Sequence, residues 1–334
     1  METIVSEIWP QWTGTLEKRS GGWNNTTYIV NGGARKSILR IYDTHRDREK
    51  IEFEHALLQK LGKLALPFKI PVPVCTPAGE TVVQLKDADG KFACLFKYID
   101  GDSPSEGDSG YLESFGEAAG VLSSTLADIH AGLSPVYKPY YELRQAYPLC
   151  SADTIRELCL KPAVPFAELA QELNMLYEAY DNIAGSLTEL QELPHQLVHG
   201  DLNASNLLVE TTGRRQVAAL LDFEFCTYDV RAMEPAVVLS GLLGHAEERA
   251  AVQAFCRGFS RHIHLTEAEI KAIPVLMLLR KVDVFLHFVT RYLEGTDEAH
   301  VLQEQVKLLA EDLIQLSAGT TLILEILKQE QEGI

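Results

Sequence analysis

Short β-rich runs fill the first hundred residues of the chain, and apolar stripes at helical spacing fill most of the rest. Residues 14–42 read as strands: Tyr28-Ile29-Val30 and Ser37-Ile38-Leu39-Arg40-Ile41-Tyr42 are separated by Asn31-Gly32-Gly33, a hairpin composition. Ile51, Leu57, Leu58 and Leu61 then recur along one helix face, which predicts a helix over 45–62 with Gly62 as its stop. Prolines at 71, 73 and 77 break the next stretch, and strands are predicted over 81–85 and 92–99 before Asp100-Gly101. Beyond residue 103 the pattern is mainly helical, with Leu112, Phe115, Ala119, Leu122 and Leu126 marking a helix over 111–131. Its end places His130 as a buried residue under a later loop. Residues 134–165, rich in Pro and Tyr, read as irregular, 166–191 as one or two helices, and three or four helices close the chain. Inside this helical part, Leu207-Leu208-Val209 and 217–221 form a strand pair around the turn-rich Thr211-Thr212-Gly213. The expected class is α+β, a small antiparallel-sheet lobe with one helix over 1–98 and a larger, mainly helical lobe over 99–334.

Length and composition narrow the function without choosing it. A chain of 334 residues can bury two cores, and 46% hydrophobic with 23% charged residues is ordinary for a globular protein. Against 30 basic residues stand 47 acidic ones, so the net charge of −17 argues against nucleic acid or an anionic membrane as partner. No stretch reaches the roughly 18 apolar residues of a membrane helix, and the first residues lack a basic region followed by an apolar run. Six cysteines show neither C-x-x-C nor clustering with His, which suits reduced thiols. A cytoplasmic protein is expected.

The chemistry concentrates in His199-Gly200-Asp201-Leu202-Asn203-Ala204-Ser205-Asn206 and in Asp222-Phe223-Glu224 beyond the predicted hairpin. An Asp, four residues, an Asn, and then an Asp on a returning strand is the spacing that phosphoryl transfer from a nucleotide requires. One carboxylate, Asp201, must face an acceptor hydroxyl. An amide and a second carboxylate, Asn206 and Asp222, must hold Mg²⁺ against the phosphates of ATP. The hairpin returns Asp222 beside Asn206, so both can reach one ion. Glu224 either touches a second metal through water or faces solvent.

These residues resemble the aminoglycoside phosphotransferase and choline kinase family, which has a two-lobed protein-kinase-like fold. The nearest look is to bacterial type II homoserine kinase-like phosphotransferases. The resemblance follows the order of landmarks over most of the chain, but only 195–240 is specific. It implies ATP-dependent phosphorylation of a small-molecule hydroxyl. By that likeness, Ser20-Gly21-Gly22-Trp23-Asn24-Asn25-Thr26-Thr27 is a loop over the nucleotide, with Asn25 among its contacts, although such residues also mark plain turns. Arg40 stands where kinases carry a strand lysine, and Glu54 is its expected partner, with Glu52 as competitor. Tyr98 and Ile99 occupy the stretch that presents backbone groups to adenine. Glu234 replaces the usual Asp that buttresses the catalytic loop.

On a helix over 272–294, Arg280, Asp283, His287 and Arg291 share one face. That face is either solvated or lines the acceptor pocket, with Asp283 receiving a substrate amine and His287 nearby. The acceptor is homoserine, a choline-like amino alcohol, an aminoglycoside or another metabolite. A non-catalytic nucleotide-binding protein is disfavoured because Asp201, Asn206 and Asp222 are all present. A protein kinase is disfavoured by the lack of a long segment ending in Ala-Pro-Glu.

Overall fold

The computed structural model describes residues 2–19, 25–33, 35–43, 47–85, 90–105, 107–244 and 247–332. The helix Glu2–Ile8 (α1) is followed by three strands, Thr15–Arg19 (β1), Asn25–Asn31 (β2) and Lys36–Tyr42 (β3). Next come the helix Arg48–Leu61 (α2) and the strands Val83–Gln84 (β4) and Phe92–Lys97 (β5). All five strands join one antiparallel sheet in the order β1-β2-β3-β5-β4. Strand alternation turns Leu39 and Ile41 of β3 into a core with Val5, Trp9, Val30, Val74, Leu85, Ala93 and Leu95. The Trp9 indole N–H also donates to the Val74 carbonyl at 3.1 Å. Truncating such a buried aromatic typically costs about 3–5 kcal/mol. The helix α2 starts three residues later than its apolar stripe alone suggests, because the Asp47 side chain caps it by accepting the Glu49 N–H at 3.0 Å.

The helix Leu112–Asp128 (α3) is followed by two short helices, Leu143–Ala146 (α4) and Ala152–Leu160 (α5). These last two correct the reading of 134–165 as irregular. Ser151 caps α5 by accepting the Thr154 N–H at 3.1 Å, a signal hidden among the Pro and Tyr residues around it. Because α3 ends at Asp128, His130 lies beyond it and is exposed rather than buried. The helices Ala170–Ala184 (α6) and Leu187–Leu190 (α7) lead to four short strands, His195–Val198 (β6), Leu207–Val209 (β7), Val217–Leu220 (β8) and Thr227–Val230 (β9). β7 pairs with β8 as expected, and β6 pairs with β9, which the sequence pattern did not reveal. Four helices follow: Met233–Leu239 (α8), Glu248–Ser260 (α9), Glu267–Leu293 (α10) and Ala299–Glu332 (α11). A capping box between Thr266 and Glu269 sets the start of α10, five residues before the apolar pattern had placed it. Where α3 crosses α9, a Cβ on Gly116 would strike the Phe255 carbonyl and one on Gly258 the Glu113 carbonyl, so both positions need glycine for close approach.

The class is α+β, as expected. Two compact units make up the chain: Met1–Glu106 with Ile129–Val136 and Ala204–Phe225, and Gly107–Asp128 with Tyr137–Asn203 and Cys226–Ile334. The β7–β8 hairpin belongs to the first unit, whereas a boundary at residue 98 leaves it with the second. Backbone bonding explains the assignment. Lys69 N–H donates to the Ala218 carbonyl at 2.9 Å, Leu220 N–H to the Lys69 carbonyl at 3.0 Å, and Asp102 exchanges two bonds with Val209 at 2.8 and 3.0 Å. No helix among the described residues is long and apolar enough to cross a membrane.

Candidate active site

In the first unit, alternation along β3 sets Arg40 on the face opposite Leu39 and Ile41. Its guanidinium meets Glu54 of α2, Nη1 to Oε1 at 3.3 Å, and Asp222 at the end of the hairpin, Nη2 to Oδ1 at 3.6 Å. The same group lies over the Phe96 ring, 5.2 Å from its centroid. Glu54 is fully buried and its other oxygen accepts from the Tyr42 hydroxyl at 3.4 Å. Burial pushes the Glu54 carboxyl up to about 8, with Arg40 opposing. For Arg40 burial opposes the charge, but Asp222 and Glu54 outweigh it and hold the guanidinium protonated. Glu52, the other candidate partner, pairs instead with Arg48 at 2.7 Å.

Asp222 follows β8 with φ at 62°, in the left-handed region that few residues other than glycine, Asn and Asp enter. Its Oδ1 is buried and has no hydrogen-bond partner. Asn206 is buried at the other side of the hairpin's end, where its carbonyl accepts the Leu221 N–H at 2.8 Å. No group of three His, Cys, Asp or Glu side chains that could hold a metal ion occurs among the described residues. One carboxylate and one amide nevertheless match what a protein gives Mg²⁺ when phosphates and water complete the shell. The Asp222 oxygen, which faces Arg40 at 3.6 Å without a hydrogen bond, fits such an ion.

Glu224 is buried rather than solvent-facing, and its Oε2 accepts from Asn25 Nδ2 at 3.1 Å. Asn25 opens β2, and its Oδ1 is buried without a hydrogen-bond partner. The residues Ser20 to Asn24 of the expected loop lie outside the described residues. Tyr98 directly follows β5, and its N–H donates to the Lys36 carbonyl at 3.4 Å, with the Lys36 ammonium 5.3 Å from its ring centroid. Ile99 is half-buried beside it. A further cation, Lys50, stands one helical turn before Glu54. Burial lowers its pKa, with Asp47 and Glu224 acting the other way.

In the second unit, the pairing of β6 with β9 fixes the exit of β6 into His199-Gly200-Asp201. Gly200 has φ at 81° and donates its N–H to Glu234 Oε1 on α8 at 2.9 Å. Glu234 therefore reaches the loop despite its extra methylene. The Asp201 N–H donates to His199 Nδ1 at 3.3 Å, and Asn203 Nδ2 to the Asp201 carbonyl at 3.1 Å.

The Asp201 carboxylate receives Arg280 from α10, Nη2 to Oδ1 at 2.5 Å. Arg280 also donates to the Tyr140 hydroxyl at 2.9 Å, and that hydroxyl donates to the Gly200 carbonyl at 2.5 Å. Asp283 lies 3.7 Å from Arg280 and accepts from the Tyr147 hydroxyl at 2.7 Å. Burial pushes the Asp283 carboxyl up to about 6, with Arg280 opposing. Tyr140 is anchored in turn by its N–H, which donates to Asp229 Oδ2 at 2.6 Å. The solvated reading of this helix face is thereby corrected: Arg280 and Asp283 form a mostly buried cluster with Asp201. His287 and Arg291, one and two turns on, belong with Asp297 instead; Arg291 binds it at 2.6 Å, and both lower its pKa. Tyr140, Tyr147 and the Arg280 contact to Asp201 belong to this cluster without any signal in the sequence pattern.

Residues 15–273 match the model of the phosphotransferase enzyme family called APH. The chain belongs to that family. Homoserine kinases of Brucella ovis and Brucella canis are each 26% identical over 274 residues, which cover 79% of this chain and 76% of theirs. The solved structure of a microcompartment-associated aminopropanol kinase superposes with a TM-score of 0.73 at 19% identity, covering 97% of this chain and 99% of that one. An amicoumacin kinase superposes at 0.66 and 15% identity, covering 93% and 91%. At those identities the solved structures establish the fold, which is protein-kinase-like. This member of the phosphotransferase family is a small-molecule kinase.

Proposed function

We propose that the chain uses Mg²⁺ and ATP to phosphorylate the hydroxyl of a small amine-bearing alcohol, homoserine or a related amino alcohol, in the cytoplasm. The observation that carries this reading is Arg40 pinned between Glu54 and Asp222, with a buried Asp222 oxygen lacking a hydrogen-bond partner. Asp222 and Asn206 would hold the metal ion, and Arg40 would clamp the α- and β-phosphates. Bound there, Mg²⁺ would neutralise charge on the transferring phosphoryl group. Asp201 orients the acceptor hydroxyl and takes its proton as the new O–P bond forms and the bond to ADP breaks. Asp283 would receive the amine. Relatives named for homoserine and for aminopropanol support an acceptor carrying both amine and hydroxyl. None of the six cysteines forms a disulfide, which suits a reducing compartment.

The test is ADP release by the purified chain with a panel of hydroxylated metabolites, aminoglycosides included. ATP and GTP should both be tried, since solved relatives hold AMP-PNP in one case and GDP in another. Release stimulated by an amino alcohol is expected; stimulation by none of the panel would sink the reading.

Two further outcomes follow from the same roles. Arg40→Ala and Glu54→Ala should each raise the KM for ATP and lower kcat, and the double variant should be little worse than either, because residues acting as a unit are non-additive. Arg40→Lys should keep part of the activity, since charge survives while the fork is lost. Strictly additive losses would separate the pair and move attention to Lys36 on the same strand. The second outcome concerns pH. Asp283 has a folded pKa of about 6, so its charge is present above that pH and lost below it. Lowering pH through that range should raise the KM for an amine-bearing acceptor more than the KM for an acceptor without an amine; equal changes for both acceptors would remove Asp283 from acceptor binding.

A further inference from the structure

The second unit carries a positive charge that amine recognition does not need. Arg280 is set among Asp201, Asp283, Tyr140 and Tyr147, with side-chain exposure of 21% for Arg280, 16% for Asp201 and 15% for Asp283. These three charged groups are thus largely enclosed yet still reachable. A guanidinium in such a place costs desolvation energy, so its position asks for a use.

We infer that Arg280 recognises a carboxylate on the acceptor, which makes the acceptor a hydroxy-α-amino acid rather than a simple amino alcohol. This rests on the kinase reading above and refines its substrate. Arg280 Nη2 holds Asp201 Oδ1 at 2.5 Å, and an acceptor hydroxyl must hydrogen-bond to that same carboxylate. Arginine and hydroxyl therefore compete for oxygen lone pairs on Asp201. A ligand carboxylate offers Arg280 an equivalent anionic partner and lets Asp201 turn to the hydroxyl.

The three charged groups then match the three polar groups of the ligand. Arg280 takes the carboxylate, Asp283 the ammonium and Asp201 the hydroxyl. Arg280 and Asp283 are 3.7 Å apart, and the carboxylate and ammonium of an α-amino acid sit on a single carbon. Charge alone does not decide the matter, because one arginine and two aspartates would accept a plain cation too. The decisive feature is the bond between Arg280 and Asp201, which a plain cation leaves in place. Tyr140 keeps the arginine aimed during the exchange: its hydroxyl accepts from Arg280 at 2.9 Å while donating to the Gly200 carbonyl. Arg280 is thus a specificity-determining residue, and the acceptor itself releases Asp201.

The test compares three acceptors of one skeleton: homoserine, aminopropanol (homoserine without its carboxylate) and hydroxybutanoate (homoserine without its amine). With the unaltered chain and Mg·ATP, kcat/KM for homoserine should exceed that for aminopropanol by on the order of 10²-fold, because aminopropanol leaves Asp201 tied to Arg280 and homoserine frees it as the base. In Arg280→Gln that ratio should collapse toward one, through loss of the carboxylate contact to homoserine and gain on aminopropanol as Asp201 is freed, while Arg280→Lys should keep part of it. The unaltered chain and Arg280→Lys decide the question even if Arg280→Gln does not fold. Aminopropanol used as well as homoserine, or a ratio unchanged in Arg280→Gln, overturns the inference and leaves the kinase reading standing. Absence of phosphoryl transfer to any alcohol, with Mg·ATP binding intact by calorimetry, overturns both.

Discussion

Replacing Asp222 with alanine should abolish measurable phosphoryl transfer and strongly weaken binding of Mg·ATP. Asp222 supplies the anionic member of the proposed metal-binding pair, and its buried Oδ1 makes no hydrogen bond. It also neutralises Arg40 from 3.6 Å, so its loss disturbs the proposed phosphate clamp too. Backbone conformation complicates the alanine variant. With φ at 62°, an alanine there is strained by about 1–2 kcal/mol, whereas Asn tolerates the left-handed region. Asp222→Asn therefore isolates the charge. It should still lose at least about 10²–10³-fold in kcat, the usual worth of one electrostatic stabiliser of a transition state. Asn206→Ala should be milder, since a neutral amide holds a cation less firmly. Calorimetry with Mg·ATP, and with ATP in the presence of a chelator, separates metal-dependent from metal-independent binding. Full recovery of Asp222→Ala in excess Mg²⁺ would show that the ranking of ligands is wrong.

What could be read from the sequence was what depends on short separations or on one regular period. The candidate motif is local, and the hairpin from Leu207 to Leu220 joins its two halves through a turn of strong composition. Arg40 and Glu54 could be paired on paper because strand and helix periods each fix a face, and only fourteen positions separate them. Contacts with no period behind them stayed hidden. Arg280 meets Asp201 across 79 positions and Tyr140 across 140, so a charged stripe on α10 looked solvated when it is enclosed by loops. Strands β6 and β9 have four residues each, too few for alternation to stand out from helical neighbours. His130 was misplaced for a related reason: α3 ends at Asp128, and a shift of two residues at a helix end changes which side chain is covered.

Asp201→Asn should leave ATP binding nearly intact while turnover falls on the order of 10²–10⁴-fold, the range for a positioned acid or base. The asparagine keeps the volume and one oxygen for Arg280 but cannot take a proton. Because Arg280 is held by the Tyr140 hydroxyl and lies near Asp283 as well, it is not stranded when the charge at 201 disappears. The loop should hold its shape for the same reason. Gly200 is fixed by Glu234 at 2.9 Å and by Tyr140 at 2.5 Å, neither of which involves the Asp201 side chain. Thermal unfolding of the variant should therefore stay close to that of the parent, and the loss should fall on kcat rather than on the KM for ATP. Two results would count against this role. A variant with near-parental kcat would show that Asp201 does not serve the acceptor hydroxyl, and a loss confined to KM for ATP would assign it to nucleotide binding instead.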